Sequence, residues 1–328
     1  METESEWDSP VEATSDDAAL SKLSAISKGY YKDDFMSLLI GGNRQSKRSP
    51  LINRGYFARV AARDMVVSMF LERTKGKCQI VSLGAGSDTA YFRLKSEGRQ
   101  PTFFAEIDLP AVVLRKMKIL CQSERVLQLA GLSKEDVQLG AENALCVKGV
   151  DYALASADLR DINSFEHVLK TKCGLDFSLP TLFISECVLV YLEPTESAGV
   201  ISWIAEKFKC AAMFVYEQIR PDDAFGQVMM KNLESRGCAL KGLKSHVSTL
   251  AQIERFESRG WTKCECLDMN DIYYKCLDKE IVTKAEKLEI FDEFEEWHLM
   301  QAHYCVVLAT NVTRGSCVLE DLRLHPSS

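Results

Sequence analysis

The residues of this chain best suited to chemistry are two glycines and three carboxylates: Gly84, Gly86, Asp108, Asp158 and Glu186. The glycines lie in C-Q-I-V-S-L-G-A-G-S-D-T-A-Y-F-R-L (78–94). There Ile80, Val81 and Leu83 form an apolar run too short for a helix, which reads as a buried strand. Neither glycine carries a Cβ, so the backbone can turn sharply after that strand and approach a ligand closely. Asp88 or Thr89 is placed to cap a helix through Ala90, Tyr91, Phe92 and Leu94. Phe103, Phe104 and Ile107 read as a second strand ending in Glu106 and Asp108. An acidic residue about 20 positions beyond such glycines is placed to hold a ribose diol.

The kind of nucleoside follows from what the turn lacks. The dinucleotide fingerprint asks for a third glycine, and here that position is Thr89. No G-x-x-x-x-G-K-[S/T] occurs either. A glycine turn with a ribose acid and no phosphate-adapted glycine fits S-adenosylmethionine better than a nicotinamide dinucleotide.

The elements that must position these residues alternate along the chain. Leu109 to Leu120 is helical in pattern and 121–147 reads as irregular. Val150 to Ala155 is a third strand, Asp158 ends it, and Asp161 is placed to cap the helix that follows. Leu179 to Ser185 is a fourth strand running into E-C-V-L-V-Y-L (186–192), and Pro194 opens a helix carrying Trp203 and Phe208. Ala211 to Tyr216 is a fifth strand. Helices follow at about 222–236 and 248–259, then Trp261 to Leu267 and a closing strand from His303 to Thr310. Such alternation specifies an α/β fold, a Rossmann-like, doubly wound and mostly parallel sheet with ligands outside the carboxyl ends of its strands. Gly84, Asp108, Asp158 and Glu186 then converge on one crevice.

Ahead of the sheet, residues 1–16 are acidic and polar and read as disordered. From Asp17 a helix is striped by Leu20, Leu23 and Ile26, with Gly29 placed to stop it. Lys22 lies off that stripe, so pattern alone makes it a solvated lysine. Asp33 to Ile40 suggests a short helix, 41–50 a flexible basic loop, and Ile52 to Glu72 a long helix punctuated by Arg54, Arg59 and Arg63. Arginines so placed are ordinarily surface residues, and Arg63→Lys is expected to be silent. The division expected is a disordered 1–16, one domain over 17–315 and a tail at 316–328. Within the domain, 17–77 forms a helical lid, 78–217 the core, 218–258 a helical insertion over the crevice and 259–315 the rest of the core.

Bulk properties narrow the partners. A hydrophobic share of 46% with 27% charged residues is that of a globular protein, and the net charge of −7 speaks against binding nucleic acid through its backbone. The 12 cysteines lack a framework spacing and no signal peptide precedes them, so reduced thiols are expected. No C-x-x-C pair occurs, and His298 and His303 lack i,i+4 spacing, so no metal is expected. No run of 18 apolar residues is present, so no membrane span is expected.

I-N-R-G-Y-F-A-R (52–59), Q-I-V-S-L-G-A-G-S-D-T (79–89), E-I-D-L-P (106–110) and A-D-L-R-D (157–161) then carry a resemblance, with E-C-V-L-V-Y-L (186–192), F-G-Q-V-M (225–229) and H-Y-C (303–305). From about Asp17 to Thr310 the chain resembles leucine carboxyl methyltransferases, which methylate the C-terminal leucine α-carboxylate of the type 2A protein phosphatase catalytic subunit. The resemblance implies a class I S-adenosylmethionine-dependent fold with an N-terminal helical lid. It implies a monomeric cytoplasmic enzyme that regulates phosphatase holoenzyme assembly and meets the phosphatase tail and active-site surface. Carried onto this sequence, Lys22 and Arg59 meet the methionine carboxylate of the cofactor or the substrate. Gly84 and Gly86 lie in the cofactor turn, Asp108 holds the ribose hydroxyls, and Asp158 with Leu159 brackets the adenine. Glu186 holds the cofactor's amino end, Tyr191 lines the leucine pocket, and Arg59 orients carboxylates without moving a proton. Two rivals are a tRNA wybutosine-pathway carboxyl methyltransferase and an inactive module that caps the phosphatase tail. The wybutosine enzymes carry a long C-terminal β-propeller, for which 328 residues leave no room, and the acidic balance disfavours RNA. A pure binder has no use for a cofactor crevice.

Overall fold

Strand β1 (Gln79–Leu83) is buried along its whole length, because it lies at the centre of an eight-stranded sheet. The other strands are β2 (Phe103–Asp108), β3 (Cys146–Lys148), β4 (Tyr152–Ser156), β5 (Thr181–Glu186), β6 (Cys210–Gln218), β7 (Lys263–Asp268) and β8 (Tyr304–Val312). Their order is β3-β4-β2-β1-β5-β6-β8-β7. The block β4-β2-β1-β5-β6 is parallel, while β3, β8 and β7 pair antiparallel with their inner neighbours. The computed structural model describes residues 8–40, 46–143, 145–312 and 318–324.

Winding reverses at β1. From it the chain moves outward to β2 and β4, then returns to add β5 and β6 on the other side. The carboxyl ends of β1 and β5 therefore flank the switch point, where open α/β sheets hold their ligands. Strand residues alternate between two packed faces, as pleating requires. Ile80, Phe104, Leu182 and Phe214 join one core with the N-terminal helices. Val81, Ala105, Phe183 and Val215 join the other with Phe165, Trp203 and Phe256. Both faces are covered, which a mostly parallel sheet needs.

Helices α1 (Asp8–Ser27), α2 (Met36–Leu39) and α3 (Pro50–Thr74) precede the sheet, with Pro50 at the first turn of α3, where its missing N–H costs nothing. Helices α4 (Ala90–Ser96) and α5 (Pro110–Leu120) follow β1 and β2. Helix α1 already begins at Asp8, so 8–16 is helical where composition suggests disorder. Its order comes from tertiary contact: the Cys238 thiol donates to the Pro10 carbonyl at 3.1 Å, and Arg115 pairs with Asp16 at 3.0 Å. Residues 1–7 and 41–45 lie outside the described residues. The stretch 121–147 is not irregular: it holds helices Glu124–Ala130 and Lys134–Asn143 and the edge strand β3, with Ser123 and Gly131 capping the first helix.

Of 218–258, helix Ala224–Glu234 and the loop after it cover the crevice, whereas helix Thr249–Glu257 packs on a sheet face through Phe256. Helices Lys279–Glu286 and Phe294–Ala302 fill the stretch between β7 and β8, which pattern left unread. Leu319, Leu322 and Leu324 of the tail are buried in the core. Cys210 is disulfide-bonded, against the expectation of reduced thiols throughout, since pairing follows proximity in space and not spacing in sequence. The other described cysteines are not disulfide-bonded. Among the described residues no helix is long and apolar enough to cross a membrane.

Candidate active site

A cavity of about 710 Å³ opens above the carboxyl ends of the strands, and every residue singled out above lines it: Lys22, Arg59, Gly84, Gly86, Asp108, Asp158, Leu159, Glu186 and Tyr191. Six segments deliver them. Helix α1 carries Lys22, α3 carries Arg59, and the turns after β1, β2, β4 and β5 carry the rest.

In the first half of the cavity Gly84 and Gly86 adopt φ of 60° and 54°, the left-handed region that glycine enters without strain. A Cβ on Gly84 would stand 2.5 Å from Val188 Cγ2, and one on Gly86 would stand 2.3 Å from Ser15 Oγ of α1. Gly84 is therefore required by close approach as well as by φ, while at Gly86 the φ is the firmer constraint because the Ser15 hydroxyl can turn aside. The Asp108 carboxylate accepts from Gly86 N at 2.6 Å and from Leu109 N at 2.7 Å, which fixes it at the cavity wall. Burial raises its pKa, and those two N–H groups offset this only in part. Asp158 sits further out and pairs with Arg160 at 2.7 Å, while Leu159 beside it is buried.

The second half is built on charge. Arg59 Nε donates to Glu186 Oε2 at 2.5 Å, and Arg59 Nη2 donates to the Glu186 carbonyl at 3.3 Å. Arg63 Nη1 reaches Glu186 Oε1 at 3.1 Å and Asp88 Oδ1 at 2.9 Å. Burial alone would raise the Glu186 carboxyl, but Lys22, Arg59 and Arg63 prevail and hold it down at about 2. Lys22 is only 8% exposed, and burial pulls its pKa down despite the nearby Glu186 and Asp88. Among the described residues no carboxylate lies within ion-pair distance of its ammonium. A buried ammonium without a contacting anion carries a desolvation cost, which loss of the proton or a nearby negative charge would relieve. Arg59 also stands 4.9 Å from the Tyr216 ring, which stacks on Tyr304 at 5.3 Å.

Two surface readings fail here. Lys22 is not solvated, because α1 crosses the cavity against α3 and turns that side chain inward. Arg63 is not a bystander: it is 1% exposed and binds Asp64, Asp88 and Glu186. Its spacing of four from Arg59 puts both on one helix face, which was the available signal. Asp88 was legible only as a cap; it does accept from Thr89 N and Ala90 N, and also anchors Arg63. Among the described residues no cluster of three His, Cys, Asp or Glu is disposed to hold a metal ion.

Known proteins resemble this chain. The leucine carboxyl methyltransferase family profile matches residues 9–205. A leucine carboxyl methyltransferase 1 homolog of Arabidopsis thaliana is 43% identical over 310 residues, covering 93% of this chain and 90% of that protein. The chain belongs to the leucine carboxyl methyltransferase family. It is a methyltransferase, with the class I S-adenosylmethionine-dependent fold. Leucine carboxyl methyltransferase 1 of Bos taurus is 40% identical, covering 92% of this chain and 90% of its own length. The tRNA wybutosine-synthesizing protein 4 of Homo sapiens is also 40% identical, over 97% of this chain, but the match spans 46% of that protein. A solved DUF574 family protein of Streptomyces avermitilis shares the fold at a TM-score of 0.50 and 14% identity, covering 89% of this chain and 99% of that one.

Proposed function

We propose that this methyltransferase esterifies the C-terminal leucine α-carboxylate of the type 2A protein phosphatase catalytic subunit, using S-adenosylmethionine, and so regulates holoenzyme assembly. The observation that carries the reading is the buried Lys22 ammonium, set beside Arg59 in the same cavity as the glycine turn and Asp108. A site for a cofactor with a carboxylate, acting on a substrate with a carboxylate, needs buried cations of this kind.

The residues present fit that cofactor. Bound there, it supplies a methyl group activated on a sulfonium. Asp108 takes the ribose hydroxyls, Asp158 and Leu159 bracket the adenine, and Glu186 takes the amino end. Lys22 and Arg59 meet the carboxylates, and Tyr191 lines the leucine pocket. A terminal carboxylate, with a pKa near 3.5, is already ionised at neutral pH, so no general base is required. The protein's task is placement, which is worth roughly 7–11 kcal/mol of a barrier. Arg59 serves this because Glu186 engages its Nε and Nη2, which tempers its pull on the attacking oxygen. Over-stabilising that oxygen would raise the barrier. The enzyme acts as a cytoplasmic monomer on a protein partner.

The match to the wybutosine protein over 97% of this chain favours a second reading, in which the acceptor carboxylate belongs to a tRNA base. Incubation with methyl-labelled S-adenosylmethionine, offered phosphatase catalytic subunit or tRNA in parallel, separates the two. Base-labile label on the phosphatase is expected; label on tRNA alone would replace the first reading with the second.

A further inference from the structure

Beyond Glu186 the cavity continues over the ends of β6 and β8, away from the glycine turn. Gln218 closes β6 and faces Tyr304 at the start of β8 in register. Gln301 comes from helix Phe294–Ala302, and all three line the cavity. Gln301 is 2% exposed and Gln218 is 4% exposed, yet the side-chain oxygen of each has no hydrogen-bond donor among the described residues. Gln218 spends its other end on Tyr304, and among the described residues the Gln301 side chain has no hydrogen-bond partner.

A buried carboxamide whose oxygen has no donor is costly, and leucine or methionine would fill the same volume without that cost. Two of them at one end of one cavity point to a ligand that repays it. The complement of a carboxamide is another amide, whose N–H meets the oxygen and whose carbonyl meets the NH2. Both oxygens are enclosed as they stand, and a half-turn about the last bond exchanges oxygen and NH2 toward the cavity at little steric cost.

We propose that Gln301, supported by Gln218, binds the backbone peptide group that precedes the methylated carboxylate, making it a positioning residue for the substrate tail. The inference rests on the protein-tail reading above and deepens it. The enzyme then recognises its terminal residue as part of a peptide, through the main chain, before any upstream side chain is read. Arg59 lies over Tyr216, which stacks on Tyr304, the register partner of Gln218. Peptide group and carboxylate are thus gripped by neighbouring residues.

The test uses the full chain and a phosphatase catalytic subunit whose tail is completed by ligation of a synthetic segment. One form carries the ordinary amide before the terminal leucine; the other carries an ester there, so that oxygen replaces N–H. On the wild-type enzyme the ester form should raise KM by about three- to tenfold, the worth of one hydrogen bond, and leave kcat nearly unchanged. Gln301→Leu should raise KM for the amide form similarly and treat the two forms alike. The free variant should melt no lower than wild type, because an unpaired polar group has left the interior. Equal KM for the two forms on the wild-type enzyme overturns the proposal without recourse to any variant. So does a Gln301→Leu enzyme that still prefers the amide. If neither form accepts methyl from the wild-type enzyme, the protein-tail reading itself falls, a result distinct from methylation of both forms with equal KM.

Discussion

At the scale of residues, the site depends on how Glu186 is held. Arg59 and Arg63 grip its two oxygens from one helix face, and each guanidinium uses its planar fork in a way an ammonium cannot. Arg59→Lys should therefore leave the fold intact and lower turnover by about ten- to several hundredfold, as positioning is lost; steady-state kinetics on the phosphatase checks this. Arg63→Lys should differ in kind. It loses part of a buried network with Asp64, Asp88 and Glu186, so stability should fall by about 1–3 kcal/mol, read by denaturant unfolding. Acid sensitivity follows from the same cluster. The folded-state pKa of Glu186, about 2, lies below the ordinary carboxylate value. Its contribution is therefore fully present above roughly pH 4.3 and is lost as pH falls through the folded value. Melting curves of the free enzyme across that window should drop for wild type and flatten for Glu186→Gln.

At the scale of elements, the turn after β1 sets the floor of the cavity and α1 sets its roof. Gly84→Ala places a Cβ 2.5 Å from Val188 Cγ2 at a φ that alanine resists, and should cost about 2–4 kcal/mol. Val188→Ala should return part of that loss by removing the clash while the backbone strain remains; thermal melts of the two variants and their combination check it. This turn was legible in sequence because strand, glycines and helix are local, and their chemistry needs no distant partner. The strand-end carboxylates Asp108, Asp158 and Glu186 were legible because alternation places them once the fold is parallel. Lys22 and Arg63 were not, since their burial arises where α1, α3 and the end of β5 meet. Gln218 and Gln301 were invisible for a related reason: a polar residue in a strand or helix reads as solvated until a neighbouring element covers it. The start of α1 was misread because composition reports hydration and not the contacts that order a segment.

At the scale of the whole molecule, the winding reversal at β1 divides one cavity into two halves with different chemistry. The β1–β2–β4 side supplies glycines and carboxylates suited to a nucleoside. Over the β5–β6–β8 side, cations from α1 and α3 join stacked tyrosines and carboxamides, a set suited to a peptide that ends in a carboxylate. Glu186 stands between them at the end of β5. The arrangement predicts transfer to a terminal carboxylate and to no side chain. The most direct measurement incubates the enzyme with methyl-labelled S-adenosylmethionine and three forms of the phosphatase catalytic subunit: intact, lacking its last leucine, and ending in an amide. Only the intact form should take up base-labile label, mapped by mass spectrometry to the terminal leucine. Label on the truncated or amidated form, or none on the intact one, would contradict the account.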